Sequence, residues 1–285
     1  MPEPRSRPPF TLALCNEVVR ELSFAAQCAL AASLGYDALE VAPFTLAADP
    51  RDLTDRDLER LRMQAQDAGI GVSSLHWLLT APSGLSITTA DLGVRRTTLE
   101  VMHALVDACA ALGGSVLVHG SPQQRRLSDE DPVGDAQRAS EAFALIATAA
   151  ERAGVTYCIE PLSTQETAFI NTVAEAEAIV RQVGSPALKT MLDTRAARLA
   201  EAASAEAVLA RGLKAGTIAH VHVNDTSKGG PGQGTDGFAG IFEVLLAAGY
   251  AGTVAVEPFE YLPDGPTSAA RAAGYVQGVI EGLTR

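Results

Sequence analysis

The chain carries only four cysteines, Cys15, Cys28, Cys109 and Cys158, with no CxxC pair among them. Widely spaced thiols, each inside an apolar segment, are the pattern of reduced packing residues in a cytoplasmic protein, not of a disulfide scaffold. Basic residues are in short supply: 22 Lys and Arg stand against 34 Asp and Glu, a net charge of −12. A field of that sign repels phosphate backbones, so nucleic acid is not an expected partner. No run of about 18 apolar residues occurs, so no membrane span is expected. The opening stretch MPEPRSRPPF lacks the apolar core and cleavage site of a secretion signal and reads as a short tail, residues 1–9. No GxGxxG turn follows the first apolar segment, where TLALCNEVV stands instead, and this weakens a doubly wound dinucleotide-binding sheet.

What is present is an ordinary globular composition, 47% apolar and 20% charged, able to bury a large core. Short apolar runs alternate with longer stretches of helical period. The expected strands are 10–15, 37–41, 71–78, 115–120, 155–160, 188–193, 218–223 and 253–257. Helices are expected near 19–34, 54–68, 91–112, 134–153, 172–184, 199–214, 237–249 and 267–283. Five of them stop at a glycine, as in AASLGY, QDAGIG, AALGG, ERAGV and LLAAGY, which suits a left-handed cap. Strand then helix, eight times, predicts a single-domain α/β fold, a closed (β/α)8 TIM barrel over residues 10–285.

In such a barrel, chemistry gathers at the C-terminal ends of the strands. Seven strands end on a potential ligand or acid/base group: Glu40, His76, His119, Glu160, Asp193, His222 and Glu257. Only five histidines exist in the chain, so chance is a poor account. Ordinary readings stand beside the functional ones. Glu40 can be a solvated strand end, His76 a core-edge imidazole, His119 a turn cap; His103, inside a helix, reads as structural. Arg125 and Arg126 in GSPQQRR either pair with a substrate anion or are solvated loop charges. GGPGQG at 229–234 has no GKS/T after it and reads as a flexible lid.

Glu160, Asp193, His222 and Glu257 form a set of their own, closing apolar runs on strands five to eight in succession. Three carboxylates converging in a cleft repel one another without a cation, so the arrangement predicts a metal. Carboxylates plus an imidazole suit Mn²⁺, Mg²⁺ or Co²⁺, and Zn²⁺ is compatible.

The segments YCIEPLS, MLDT, HVHVND with GGPGQG, and VAVEPFE resemble the metal-site segments of the sugar phosphate isomerase/epimerase superfamily, the xylose isomerase-like TIM barrels. The resemblance runs from strand one to strand eight. It implies that Glu160, Asp193, His222 and Glu257 bind one divalent ion, Mn²⁺ being the first choice. The second His of the HxH segment is then the ligand, with His220 one layer deeper, and Asp225 and Lys228 fall in the loop over the site. Related epimerases often read DTxH after strand six, their His touching substrate. Here Asp193 and Thr194 are followed by Arg195 and Ala196, so Arg195 or Arg198 becomes the candidate contact.

A carbonyl and adjacent hydroxyl chelated by such an ion would yield a stabilised enediolate, with Glu160 and Glu257 as acid/base pair. Glu40, His76, His119, Arg125 and Lys228 are expected to hold the substrate, a small sugar or keto-polyol. The expected activity is therefore metal-dependent sugar isomerisation or epimerisation. A lyase acting on an oxidised sugar would use the same groups, whereas an endonuclease IV-like phosphodiesterase would want more metal ligands and a basic surface. A homodimer is expected by family analogy alone.

Overall fold

The computed structural model describes residues 8–285, so most of the expected tail lies outside the described residues. Eight strands, β1 Thr11–Cys15, β2 Ala38–Val41, β3 Gly71–Leu75, β4 Val116–His119, β5 Thr156–Ile159, β6 Leu188–Asp193, β7 Ile218–Val223 and β8 Thr253–Val256, pair in parallel in chain order. β8 pairs back onto β1, with Thr11 opposite Thr253 and Leu14 opposite Val256, and the barrel closes. A parallel sheet covered by helices on its outside is buried on both faces, which is why its strands read as nearly unbroken apolar runs.

The outer ring consists of α1 Phe24–Leu34, α2 Asp55–Asp67, α3 Leu92–Leu112, α4 Pro132–Ala153, α5 Val173–Val183, α6 Thr194–Ala200, α7 Ala205–Ala215, α8 Ala239–Ala247 and α9 Gly265–Leu283. All but α8 start at a side-chain cap written in the sequence. Thr54 with Asp57, and Thr172 with Glu175, form reciprocal capping boxes. All five glycines of the expected stops have positive φ, between 61° and 87°.

Two helices differ from expectation. The stretch 19–34 begins only at Phe24, because Ser23 caps it and residues 16–19 form a 3-10 turn. The helix expected at 199–214 begins only at Ala205, and a separate short helix, Thr194–Ala200, precedes it unforeseen. Asp193 caps α6 through Ala196 N at 2.6 Å, Ser204 caps α7, and the chain breaks between them. The extra helix carries Arg195.

The barrel interior is packed with modest side chains. Val116, Val118, Cys158 and Met191 cluster there. Residues two apart on a strand share a face. Continuing from Cys158, Met191, His220 and Ala255, that phase delivers Glu160, Asp193, His222 and Glu257 to the upper end of the barrel. The register agrees, since Asp193 is paired with His222.

Candidate active site

Ligand-capable atoms of Glu160, Asp193, His222 and Glu257 all lie within 4.8 Å of one another, and all four residues are buried. His222 Nδ1 stands 2.9 Å from Glu257 Oε2 and 3.5 Å from Glu160 Oε1. Among the described residues neither His222 Nδ1 nor Glu257 Oε2 has a hydrogen-bond partner, although both are enclosed. A buried imidazole nitrogen and carboxylate oxygen 2.9 Å apart but out of hydrogen-bonding line leave polar atoms unsatisfied, and a cation beside them would satisfy both. Three carboxylates and one imidazole are also the donor set of a hard to borderline divalent ion, so these residues fit one.

The electrostatics report the same crowding. Burial, then the charges of Glu160 and Glu257, push the Asp193 carboxyl up to about 7. Burial likewise raises Glu160, against the pull of His222. Burial opposes ionisation of Glu257 too, but His222 and His76 overcome it and hold the carboxyl at about 2. Burial disfavours a charged His222, yet the Glu257 and Glu40 carboxylates carry its imidazole well above the ordinary value.

Backbone devices hold the cluster. Gly120, after β4, is pressed against Glu160; an added Cβ would clash with Glu160 Oε2. Asn224 Nδ2 donates to Asp193 Oδ2 at 2.7 Å, which accounts for the asparagine that follows HVHV. Asp225 organises the next loop by accepting from Ser227 N at 2.8 Å and Asp236 N at 2.9 Å. Beside the cluster a small cavity of about 20 Å³ is lined by Trp77, Gly120, Pro122, Glu160, Leu162, Glu166, Glu257 and Phe259.

The residues expected to touch substrate are placed variously. Glu40 is no solvated strand end: it is fully buried beneath the cluster, 2.6 Å from His222 Nε2 and 2.7 Å from His220 Nε2, and accepts from Ser74. His76 bridges Glu257 Oε1 and Glu17 Oε2, each at 3.0 Å. His119 points the other way, into the helix layer, because Val118 before it takes the interior face. Its ring packs on Phe143 of α4 and its Nδ1 meets Tyr157 Oη at 2.8 Å.

Arg125 is fully buried and donates to the Glu160 carbonyl at 2.7 Å, so the guanidinium supports the loop and is absent from the pocket lining. The Lys228 ammonium is half exposed, 3.5 Å from Glu260. Its backbone, at φ 76°, turns the carbonyl to accept from Phe259 N at 2.8 Å and Glu260 N at 3.0 Å, fixing the loop that carries Phe259.

Two participants escaped the sequence reading. Glu17 lies just past β1, at the one strand end left without an assigned group. Glu166 sits in the loop before α5 with no motif around it. Its Oε2 accepts from Ser163 Oγ at 2.6 Å and from Arg195 Nη1 at 3.4 Å.

This barrel and site place the chain in a family. Residues 28–278 match the model of the xylose isomerase-like TIM barrel, and the chain belongs to that family. Its relatives include sugar epimerases. An L-ribulose 3-epimerase of Mesorhizobium japonicum is 31% identical over 226 residues, 79% of this chain and 72% of that one. A D-psicose 3-epimerase of Agrobacterium fabrum is 30% identical over 237 residues, 80% and 76% of the two chains. A solved L-ribulose 3-epimerase structure superposes with a TM-score of 0.81 at 25% identity, covering 97% of this chain and 96% of the other.

Proposed function

We propose that the protein is a divalent-metal-dependent ketose epimerase that inverts the carbon next to the carbonyl of a small, unphosphorylated sugar. The observation that carries this reading is the seating of Glu160 and Glu257 in the wall of one pocket, with Asp193 and His222 within 4.8 Å of both. Kinship with ketose 3-epimerases supports it. Glu160, Asp193, His222 and Glu257 would hold one ion, Mn²⁺ before Mg²⁺, Co²⁺ or Zn²⁺. When bound, the ion supplies Lewis-acid stabilisation of negative charge on the carbonyl oxygen and its neighbour.

The chain's own groups supply the proton transfers. One carboxylate removes the C–H proton, and the electron pair moves onto the carbonyl oxygen to give an enediolate. The other glutamate, as the acid, delivers a proton to the opposite face of the same carbon, so the configuration inverts. Acid–base assistance of this kind is worth about 10²- to 10⁴-fold. His76 and Glu40 hold Glu257 and His222 in orientation. Trp77, Leu162 and Phe259 give the pocket a dry wall. No residue lining it is basic, which favours a neutral sugar over a sugar phosphate. Free, buried cysteines suit a reducing, cytoplasmic setting.

Metal analysis of protein purified without added metal, then titration of the stripped chain, tests the first half of this reading. Incubation with L-ribulose or D-psicose in D₂O tests the second. The expected result is one ion per chain and deuterium entering the substrate at carbon 3, with exchange cut at least about 10²-fold in Glu257→Gln. No metal response and no exchange would overturn the reading.

A further inference from the structure

The cavity beside the carboxylate cluster holds about 20 Å³, room for about one water. A sugar is many times larger, and pockets that enclose small molecules run to about 300 Å³ or more. Substrate therefore enters only if a wall moves.

The aromatic walls come from two separate sets of loops. Those after β3 and β4 are laced together: Leu79 N donates to Ser121 Oγ at 3.3 Å, Ile87 N to the Gln124 carbonyl at 2.9 Å and Thr88 Oγ1 to the Arg126 carbonyl at 2.6 Å. Those after β7 and β8 are laced likewise. The Lys228 carbonyl holds Phe259 N and Glu260 N, and Gln233 Nε2 donates to the Leu262 carbonyl at 3.2 Å, which ties the glycine-rich stretch 229–234 to the β8 loop. Among the described residues no hydrogen bond or ion pair crosses from residues 77–91 and 120–126 to residues 226–236 and 258–264. What does cross is Trp77, set edge to face against Phe259 with the ring centroids 6.3 Å apart. Both side chains are half-buried. Trp77 also holds φ at 52°, a left-handed conformation that bulky residues rarely adopt. Strain of this kind gathers at ligand clamps and switches.

We propose that Trp77 and Phe259 form an aromatic latch that closes the resting site and parts to admit the sugar, the two laced sets of loops moving as opposing jaws. The inference rests on the epimerase reading. An edge-to-face aromatic pair biases an equilibrium by roughly two- to tenfold. Apparent affinity and association rate both scale with the fraction that stands open. Removing one ring therefore speeds sugar entry. A preformed mouth gives a different pattern, in which loss of Phe259 leaves association alone and speeds release.

Trp77 is the chain's only tryptophan, so its emission reports the latch by itself. Stopped-flow mixing of the Mg²⁺-loaded protein with D-psicose reads the association rate. Phe259→Ala and Phe259→Leu are each expected to raise it roughly two- to tenfold with Mg²⁺ affinity unchanged. In wild-type protein carrying 5-fluorotryptophan, the single ¹⁹F signal should show exchange between two states before sugar is added and move to one position at saturation.

An association rate unchanged or lowered in both variants overturns the latch, even where deuterium still enters the substrate. If neither variant folds, the wild-type ¹⁹F signal decides: one free of exchange that saturating sugar leaves in place overturns the latch. Absence of both a Trp77 response and proton exchange in the wild type instead removes the epimerase reading, and this inference falls with it.

Discussion

Glu40 Oε1 lies 2.6 Å from His222 Nε2, and both residues are completely shielded from solvent. The contact fixes which imidazole nitrogen faces the carboxylate cluster, since Nε2 is engaged from below and Nδ1 is left above. A carboxylate behind a ligating histidine sets both ring orientation and basicity.

Glu40→Gln should therefore lower metal affinity by about 10- to 100-fold while leaving every candidate ligand in place. Titration of the stripped variant with Mn²⁺ measures it, with circular dichroism to confirm the fold. Unchanged affinity would mean that His222 is held by its strand alone.

The two histidines of HVHV should separate cleanly. His222→Ala is expected to abolish metal binding. His220→Ala, one layer deeper and in contact with Glu40, should keep it at reduced strength. The reverse order in a metal titration would invert the assignment.

Gly120→Ala tests the close approach of the β4 loop. Its Cβ would clash with Glu160 Oε2, so the carboxylate has to move. A displacement of about 1 Å at a reacting group costs on the order of 10²-fold in turnover. Turnover close to wild type, with the melting temperature unchanged, would show that Glu160 needs no such support.

His119 makes a prediction about stability and pH. Burial, reinforced by the Arg125 charge, holds its imidazole at about 3, below the ordinary 6.5. The folded chain refuses a proton that the unfolded chain accepts. The stability this group contributes is thus whole above about pH 6.5 and drains away as pH falls toward 3. In His119→Asn the acid limb should be shallower by about 1.4 kcal/mol per pH unit near pH 5. Urea melts across that range read the slope, and identical slopes in the two proteins would show that the imidazole is protonated without unfolding.

The alternation of strands and helices was open to sequence reasoning because glycine stops and apolar runs repeat along the whole chain. The gathering of Glu160, Asp193, His222 and Glu257 was equally legible, since each closes a strand. Strand phase was not. In a barrel buried on both sides, SVLVHG gives no sign that Val118 faces inward and His119 outward. Arg125 looked like a loop cation because a sequence records neighbours along the chain, and its partner is the carbonyl of Glu160. Glu166 and Arg195 meet across 29 positions, through a short helix that the sequence pattern did not register.

The candidate metal ligands all come from β5 to β8, whereas Glu17, Glu40, Ser74 and His76, which lean on them, come from the first three strands and their loops. The two halves of the chain thus divide the labour, one presenting the donor atoms and the other setting their orientation and charge. A chimera that takes its first half from a relative would inherit the same donors under a different electrostatic hand. Reaction rate and metal preference could then drift apart, with no residue in contact with the ion ever exchanged.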